Sequence, residues 1–340
     1  MSKEAPTSSA RIRVAVLLAG GTLTAIGSNR LDLASYIEVG KRLAPGEMLG
    51  SLPELSAIAD IEEVSFPTVN SHALRHADWL ALLSKIHQLF DDDRCDALVL
   101  GHGTNTLEET AYFLNLTLRT DRPVVMVGSM RPSSGLSTDG FLNVLNAVRV
   151  AASPGCVGRG VLVMLNDTIF AARGVTKAST YRVNAFVDRD YGPIGYADAD
   201  GTVVWRRHEE RLHTIATEFD VRDLEDLPRV DVVTSHIGAD GALIDAAVRA
   251  GARGIVSAGT GAGRPTPAED QALDLATSQG VVVCQASRVG SGRVIPSVTL
   301  DKRRIVTAGD LIPWKARILL SLALTVTTDF ARIQRAFDLY

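Results

Sequence analysis

Apolar residues along this chain gather in short unbroken runs, and between them lie longer stretches where apolar positions recur every three or four residues. Unbroken runs of four to six suit strands buried on both faces, and the 3.6-residue spacing suits helices that cover them. The runs Val14–Leu18, Ala97–Leu100, Val124–Val127 and Gly160–Leu165 predict strands, and Trp79–Phe90, Leu107–Leu118 and Phe141–Ala152 predict the helices between them. Two of these strands run into glycine loops, Gly20-Gly21 and Gly101-His102-Gly103. Glu108 and Glu109 stand in the first turn of one helix, where they complement its dipole, and Asp121-Arg122-Pro123 stops that segment.

From Tyr196 to Pro228 the alternation breaks into a charged run followed by an acidic, proline-ended stretch, and we place a linker at residues 206–227. Beyond it, Val230–Ser235, Gly254–Ala258 and Gly280–Cys284 predict strands, separated by helical runs at Ala242–Ala250 and Ala268–Ser278. Helices at Pro313–Leu324 and Phe330–Phe337 follow, with no fixed-period repeat. Strands alternating with helices predict a two-domain α/β protein. The larger N-terminal domain, residues 1–205, is a doubly wound parallel sheet, and the smaller C-terminal α/β domain spans residues 228–340.

Charge and cysteine content narrow the classes. With 35 Lys+Arg against 39 Asp+Glu the net charge is −4, which argues against a nucleic-acid partner. Three cysteines, Cys95, Cys156 and Cys284, form no CxxC pair and read as reduced thiols in a cytoplasmic protein. The polar start Met1–Arg13 meets only a short apolar run, so neither export nor a membrane anchor is expected. The histidines form no H-x-x-x-H pair with an acid and the glycine loops lack a P-loop lysine, so no metal and no cofactor are expected.

Three constellations carry chemistry. Ala19-Gly20-Gly21-Thr22-Leu23-Thr24 follows the first strand, at the edge where open α/β sheets bind ligands; the glycines admit a ligand to the backbone and Thr22 offers a hydroxyl. A Gly-Gly turn there is more often structural than catalytic. Gly101-His102-Gly103-Thr104-Asn105-Thr106 opens a helix, where free N–H groups favour a carboxylate or a developing oxyanion; a simple N-cap is the plainer reading. The third run, Asn166 to Lys177, ends in a lysine that alone reads as a surface residue.

Together these runs resemble the L-asparaginase/glutaminase family of the bacterial, threonine-nucleophile type. The resemblance extends through Glu108–Leu114, Gly128-Ser129-Met130-Arg131-Pro132, Gly238-Ala239-Asp240-Gly241, Ala258-Gly259-Thr260-Gly261, Ser287-Arg288-Val289 and Pro313-Trp314-Lys315-Ala316-Arg317. It implies Thr22 as the nucleophile that forms an acyl-enzyme, beside Gly21. It implies Thr104 and Lys177, with an acidic neighbour, as the pair that activates nucleophile or water, and Gly103 with the N–H groups beside Thr104 as holders of the oxyanion. Tyr36 corresponds to the family's mobile-loop tyrosine, and Ser71 to the serine that helps hold the substrate's α-carboxylate, with His72 in place of a glutamine. A homo-oligomer, dimer or tetramer, with small-molecule sites at the subunit interface is further implied.

Two departures bear on the substrate. Asn105 stands where the family has the aspartate that grips the substrate's α-ammonium. A second ammonium ligand, usually a partner subunit's glutamate, falls by count twelve residues before Gly309, at Ser297, with Asp301 the alternative after a shift, and Val294–Leu300 contains no acid. An ammonium buried without its partner costs about 3–5 kcal/mol, a hundred- to several-thousand-fold in binding. Losing the carboxylate also favours the neutral, basic form of Lys177. The expected activity is hydrolysis of an amide or related acyl substrate lacking the α-ammonium: an amic acid, cyclic imide, lactone or ester. Arg293 is one candidate reader of a substrate carboxylate, an ordinary surface arginine being the plainer reading. The alternatives are a conventional L-asparaginase, in which the Asn105 side-chain oxygen accepts the ammonium, and a non-catalytic small-molecule binding protein.

Overall fold

The apolar run that follows Ile12 becomes strand β1 (Arg13–Leu18), whose residues Val14 to Leu17 are fully buried. Its surroundings are known from a computed structural model that describes residues 11–340. Strands β2 (Asp60–Val64), β3 (Ala97–Gly101), β4 (Val124–Val127), β5 (Val161–Leu165), β6 (Thr168–Ala171), β7 (Gly195–Ala197) and β8 (Val203–Trp205) complete one sheet, in the order β8-β7-β6-β5-β4-β3-β1-β2. Side chains alternate between its faces, as a period of two requires. Val14, Val16, Val99 and Val125 pack on one side with helix α3 (Gly140–Ala152), while Ala15, Leu17, Leu98 and Leu100 pack on the other with α1 (His76–Asp91) and α2 (Leu107–Thr117).

The sheet is mixed, which corrects the expectation of an all-parallel one. β2, β1, β3, β4 and β5 run parallel, but β6, β7 and β8 each run antiparallel to the strand before. The reversal occurs at Asn166 and Asp167, which carry φ values of 50° and 58° between the paired residues Leu165 and Thr168. Positive φ at both central residues is what a two-residue hairpin turn demands, and Asn and Asp tolerate it better than most side chains.

The second domain is a parallel sheet of β9 (Val230–Thr234), β10 (Gly254–Gly259), β11 (Val282–Ser287) and β12 (Val306–Thr307), in that order. β11 starts two residues later than expected because Gly280, at φ 86°, provides the left-handed exit from helix α5 (Pro267–Ser278). Helices α4 (Ala242–Arg249), α6 (Val298–Lys302), α7 (Pro313–Val326) and α8 (Phe330–Leu339) complete it. Residues 206–227 are largely exposed but anchored at points: Phe219 and Val221 are fully buried, and the Phe219 ring meets Tyr340 edge-on at 5.1 Å.

Helix α7 joins the two domains. Leu319, Leu320 and Leu322 belong to the same apolar cluster as Leu107, Tyr112 and Leu116 of α2. At its start the fully buried Lys315 ammonium donates to the carbonyls of Ala172, Arg173 and Val175, capping the turn that leads to Lys177. Next to it, Arg173 grips Asp310 through two hydrogen bonds of 2.8 and 2.7 Å.

Candidate active site

β1 connects to β2 on one side of itself, and the chain then crosses to β3 on the other side. The carboxyl ends of β1 and β3 therefore flank a topological switch point, where an open α/β sheet leaves a crevice. A cleft of about 690 Å³ opens there, and Gly21, Thr22, Tyr36, Ser71, His72, Gly103, Thr104, Asn105 and Lys177 all line it.

The two glycine loops press against each other. Gly21 has φ 89°, and a Cβ there would stand 2.4 Å from Gly103 Cα; a Cβ on Gly103 would stand 2.5 Å from Ser71 Oγ. Both positions require glycine, and the contact sets Thr22 beside the Thr104 turn. Beneath Gly103, His102 is fully enclosed and burial pushes its imidazole down to about 4, so it is neutral near pH 7. One consistent proton assignment has Nδ1–H donating to Gly103 O at 2.8 Å and Nε2 accepting from Thr110 Oγ1 at 3.1 Å. Trp79 Nε1–H in turn donates to that hydroxyl at 2.9 Å.

Thr22 Oγ1 lies 2.9 Å from the Tyr36 hydroxyl, which the one-turn helix Tyr36–Val39 brings over the loop. Burial raises the Tyr36 phenol, against the effect of its bond to Thr22, so it stays protonated near neutral pH. On the opposite wall Lys177 Nζ donates to Thr104 Oγ1 at 2.8 Å. Burial lowers the Lys177 ammonium, and the charge of Glu108 raises it in part. Glu108 is buried, and its Oε2 accepts the Lys177 backbone N–H at 3.1 Å. The acid beside the lysine thus comes from the first turn of α2, the position read from sequence as a helix-dipole residue.

Asn105 is solvent-exposed on the cleft wall, and His72 is exposed beside the buried Ser71. Ser297 does not line this cleft: it is the N-cap of α6, its hydroxyl accepting from the Leu300 N–H. Arg293 is exposed and likewise outside the lining. Sequence reasoning passed over Arg42, which lines the cleft and donates to Gly21 O at 2.9 Å and Asn70 Oδ1 at 2.7 Å. Only an unremarkable charged pair, Lys41-Arg42, marked it in the sequence. Cys95, Cys156 and Cys284 are buried free thiols whose pKa burial raises, to about 11 for Cys95 and about 12 for Cys156, which makes them poor nucleophiles. Among the described residues no three His, Cys, Asp or Glu side chains group to hold a metal, and no helix is long and apolar enough to cross a membrane.

Comparison with known proteins accounts for nearly the whole chain. The family "Asparaginase, N-terminal" matches residues 13–211, and "Glutaminase/Asparaginase C-terminal domain" matches residues 229–337. L-asparaginase 2 of Escherichia coli (strain K12) is 40% identical over 96% of this chain and 93% of the relative. L-asparaginase 2 of Bacillus subtilis (strain 168) is 39% identical over 96% of this chain and 86% of the relative. A crystal structure described as a probable cytoplasmic L-asparaginase from Campylobacter jejuni superposes with a TM-score of 0.93 at 37% identity, covering 97% of this chain and 100% of that one.

Proposed function

The chain belongs to the asparaginase family of amidohydrolases, and on that premise we propose that it hydrolyses a small amide or related acyl substrate that carries no α-ammonium, with Thr22 as nucleophile. Thr22 Oγ attacks the acyl carbonyl carbon, and the bond to the leaving group breaks as that group takes the Thr22 proton, releasing ammonia from an amide or an alcohol from an ester and leaving an acyl-enzyme ester. The backbone N–H groups beside Thr104 face the developing oxyanion, and the Tyr36 hydroxyl takes part in moving the Thr22 proton. Lys177 in its neutral form, working through Thr104, takes a proton from the attacking water, and hydrolysis of the ester returns a carboxylate and free Thr22. The Thr22–Tyr36 and Thr104–Lys177 hydrogen bonds support these roles.

The observation that carries the substrate reading is the charge of the cleft. Asn105 is neutral, and Glu108, whose Oε2 accepts the Lys177 N–H, is the lone carboxylate among the lining residues. An amic acid, a cyclic imide, a lactone or a related ester meets such a wall without an unpaired ammonium. The names of the relatives favour a second reading, L-asparagine hydrolysis with Asn105 Oδ1 accepting the ammonium. The test is kcat/KM for L-asparagine against its des-amino analogue succinamate, with Thr22→Ala as the blank. The proposal expects succinamate to be preferred by at least about a hundredfold, the scale of an unpaired buried ammonium. A preference for L-asparagine would select the second reading, and unchanged turnover by Thr22→Ala would remove the nucleophile assignment.

The assembly in this proposal is a homo-oligomer, dimer or tetramer, in which a second-domain segment around Ser297 reaches a neighbouring copy's cleft. That Ser297 stays outside the cleft of its own chain supports this arrangement. A cytoplasmic setting is part of the same reading, supported by three buried reduced thiols and by the description of the Campylobacter structure.

A further inference from the structure

We propose that Arg42 reads the substrate's carboxylate, so that the cleft selects anionic open-chain amides, ω-amic acids, over neutral amides, imides and lactones. The proposal rests on the substrate reading above and narrows it. Arg42 sits on a two-residue strand, Lys41–Arg42, paired antiparallel with Ala25–Ile26, which are reached directly from the Thr22–Thr24 turn. Its Nη1 donates to Gly21 O at 2.9 Å and to Thr24 Oγ1 at 3.3 Å, and its Nη2 to Asn70 Oδ1 at 2.7 Å. The cation is therefore fixed within one peptide link of Thr22.

All three acceptors are neutral oxygens, and no carboxylate pairs with Arg42 among the described residues. A guanidinium carries five N–H donors in a rigid fork, so Nε–H and one Nη2–H are left for a ligand, the number a carboxylate accepts in a bidentate contact. Asn70, which holds Arg42, precedes Ser71, so the guanidinium and the buried Ser71 hydroxyl line one stretch of cleft wall. The lone lining carboxylate, on Glu108, is engaged with Lys177 and leaves the charge of Arg42 unanswered. A substrate carboxylate supplies that charge; a neutral imide or lactone does not.

The experiment compares kcat/KM for succinamate and for butyramide, its uncharged analogue with a methyl in place of the carboxylate, in the wild type, Arg42→Gln and Arg42→Lys. Arg42→Gln should lose about 10- to 100-fold more on succinamate than on butyramide, the excess appearing mainly in KM, while loss of the brace on Gly21 falls equally on both amides. Arg42→Lys should recover part of the loss, since it keeps the charge and gives up the fork. The Kd of succinate, measured by calorimetry on the same proteins, should weaken by a similar factor in Arg42→Gln. Equal losses on both amides with unchanged succinate binding would reduce Arg42 to a brace for Gly21, and an undiminished succinamate rate would overturn the proposal outright. L-asparagine against 3-aminobutanamide gives the same carboxylate-to-methyl comparison in the amino series. A wild type that prefers L-asparagine would defeat the α-ammonium argument while still testing Arg42.

Discussion

At the residue scale the site rests on two side chains that are missing, at Gly21 and Gly103, and on the burial of Lys177. A Cβ on Gly21 would collide with the Gly103 backbone, at 2.4 Å from Cα and 2.6 Å from N, in a conformation of φ 89° that side chains rarely adopt. Gly21→Ala should therefore displace Thr22 and lower kcat by about a hundredfold, at a stability cost of about 1–3 kcal/mol, read from turnover and from urea unfolding of one preparation. The second prediction concerns Lys177, which burial lowers and Glu108 raises. In the proposed mechanism its neutral amine is the active form, so the rate is expected to climb as the pH passes its pKa. Glu108→Gln keeps an oxygen for the Lys177 N–H but removes the raising charge, and the acid limb of the kcat profile should move to lower pH. An unmoved limb would show that a different group titrates.

At the scale of elements, the turns decide how the groups lining the cleft meet. The Asn166-Asp167 hairpin reverses β6 against β5, and the capped turn after Ala171 then delivers Lys177 to Thr104. Lys315 and the Arg173–Asp310 pair pin that turn to the second domain. Burial by itself would raise the Asp310 carboxyl, but the double hydrogen bond and the charge of Arg173 hold it at about 2. The unfolded carboxyl titrates near ~3.9, so the stabilisation is complete above about pH 4 and is lost as the pH falls through about 2. Asp310→Asn leaves Arg173 buried without its counter-charge and should cost about 3–5 kcal/mol at pH 7. The gap between wild type and variant should close on acidification, measured as urea midpoints from pH 7 down to pH 2.

For the whole molecule, one apolar cluster runs from the large sheet through α2 and α7 into the second domain. Cutting between the domains would expose Leu319, Leu320 and Leu322, each buried at 1% exposure or less. The two domains should accordingly unfold together, giving a single calorimetric transition. Leu322→Ala should lower that one transition by about 2–5 kcal/mol rather than split it. Two separable transitions, with the variant affecting only the later segment, would show that the domains are stable independently.

The sequence by itself determined the strands whose residues are buried on both faces and the helices with a sustained apolar stripe, because those patterns depend only on local period. Val124–Val127 and Leu107–Thr117 lie within a residue of where their patterns put them. The resemblance pointed to Thr22, Thr104 and Lys177, each within a contiguous motif, and the three line one cleft. Short partly exposed strands such as Gly195–Ala197 and Val203–Trp205 were not, since so few residues establish no period. The turn at Asn166-Asp167 carried a hairpin signal that the surrounding motif concealed. Only the tertiary structure decided which acid stands beside Lys177, that Arg42 comes to Gly21, and that Ser297 belongs to a helix cap outside the cleft. The first two are contacts between residues 69 and 21 positions apart, made by strand order and loop reversal, and no local pattern of hydrophobicity records them.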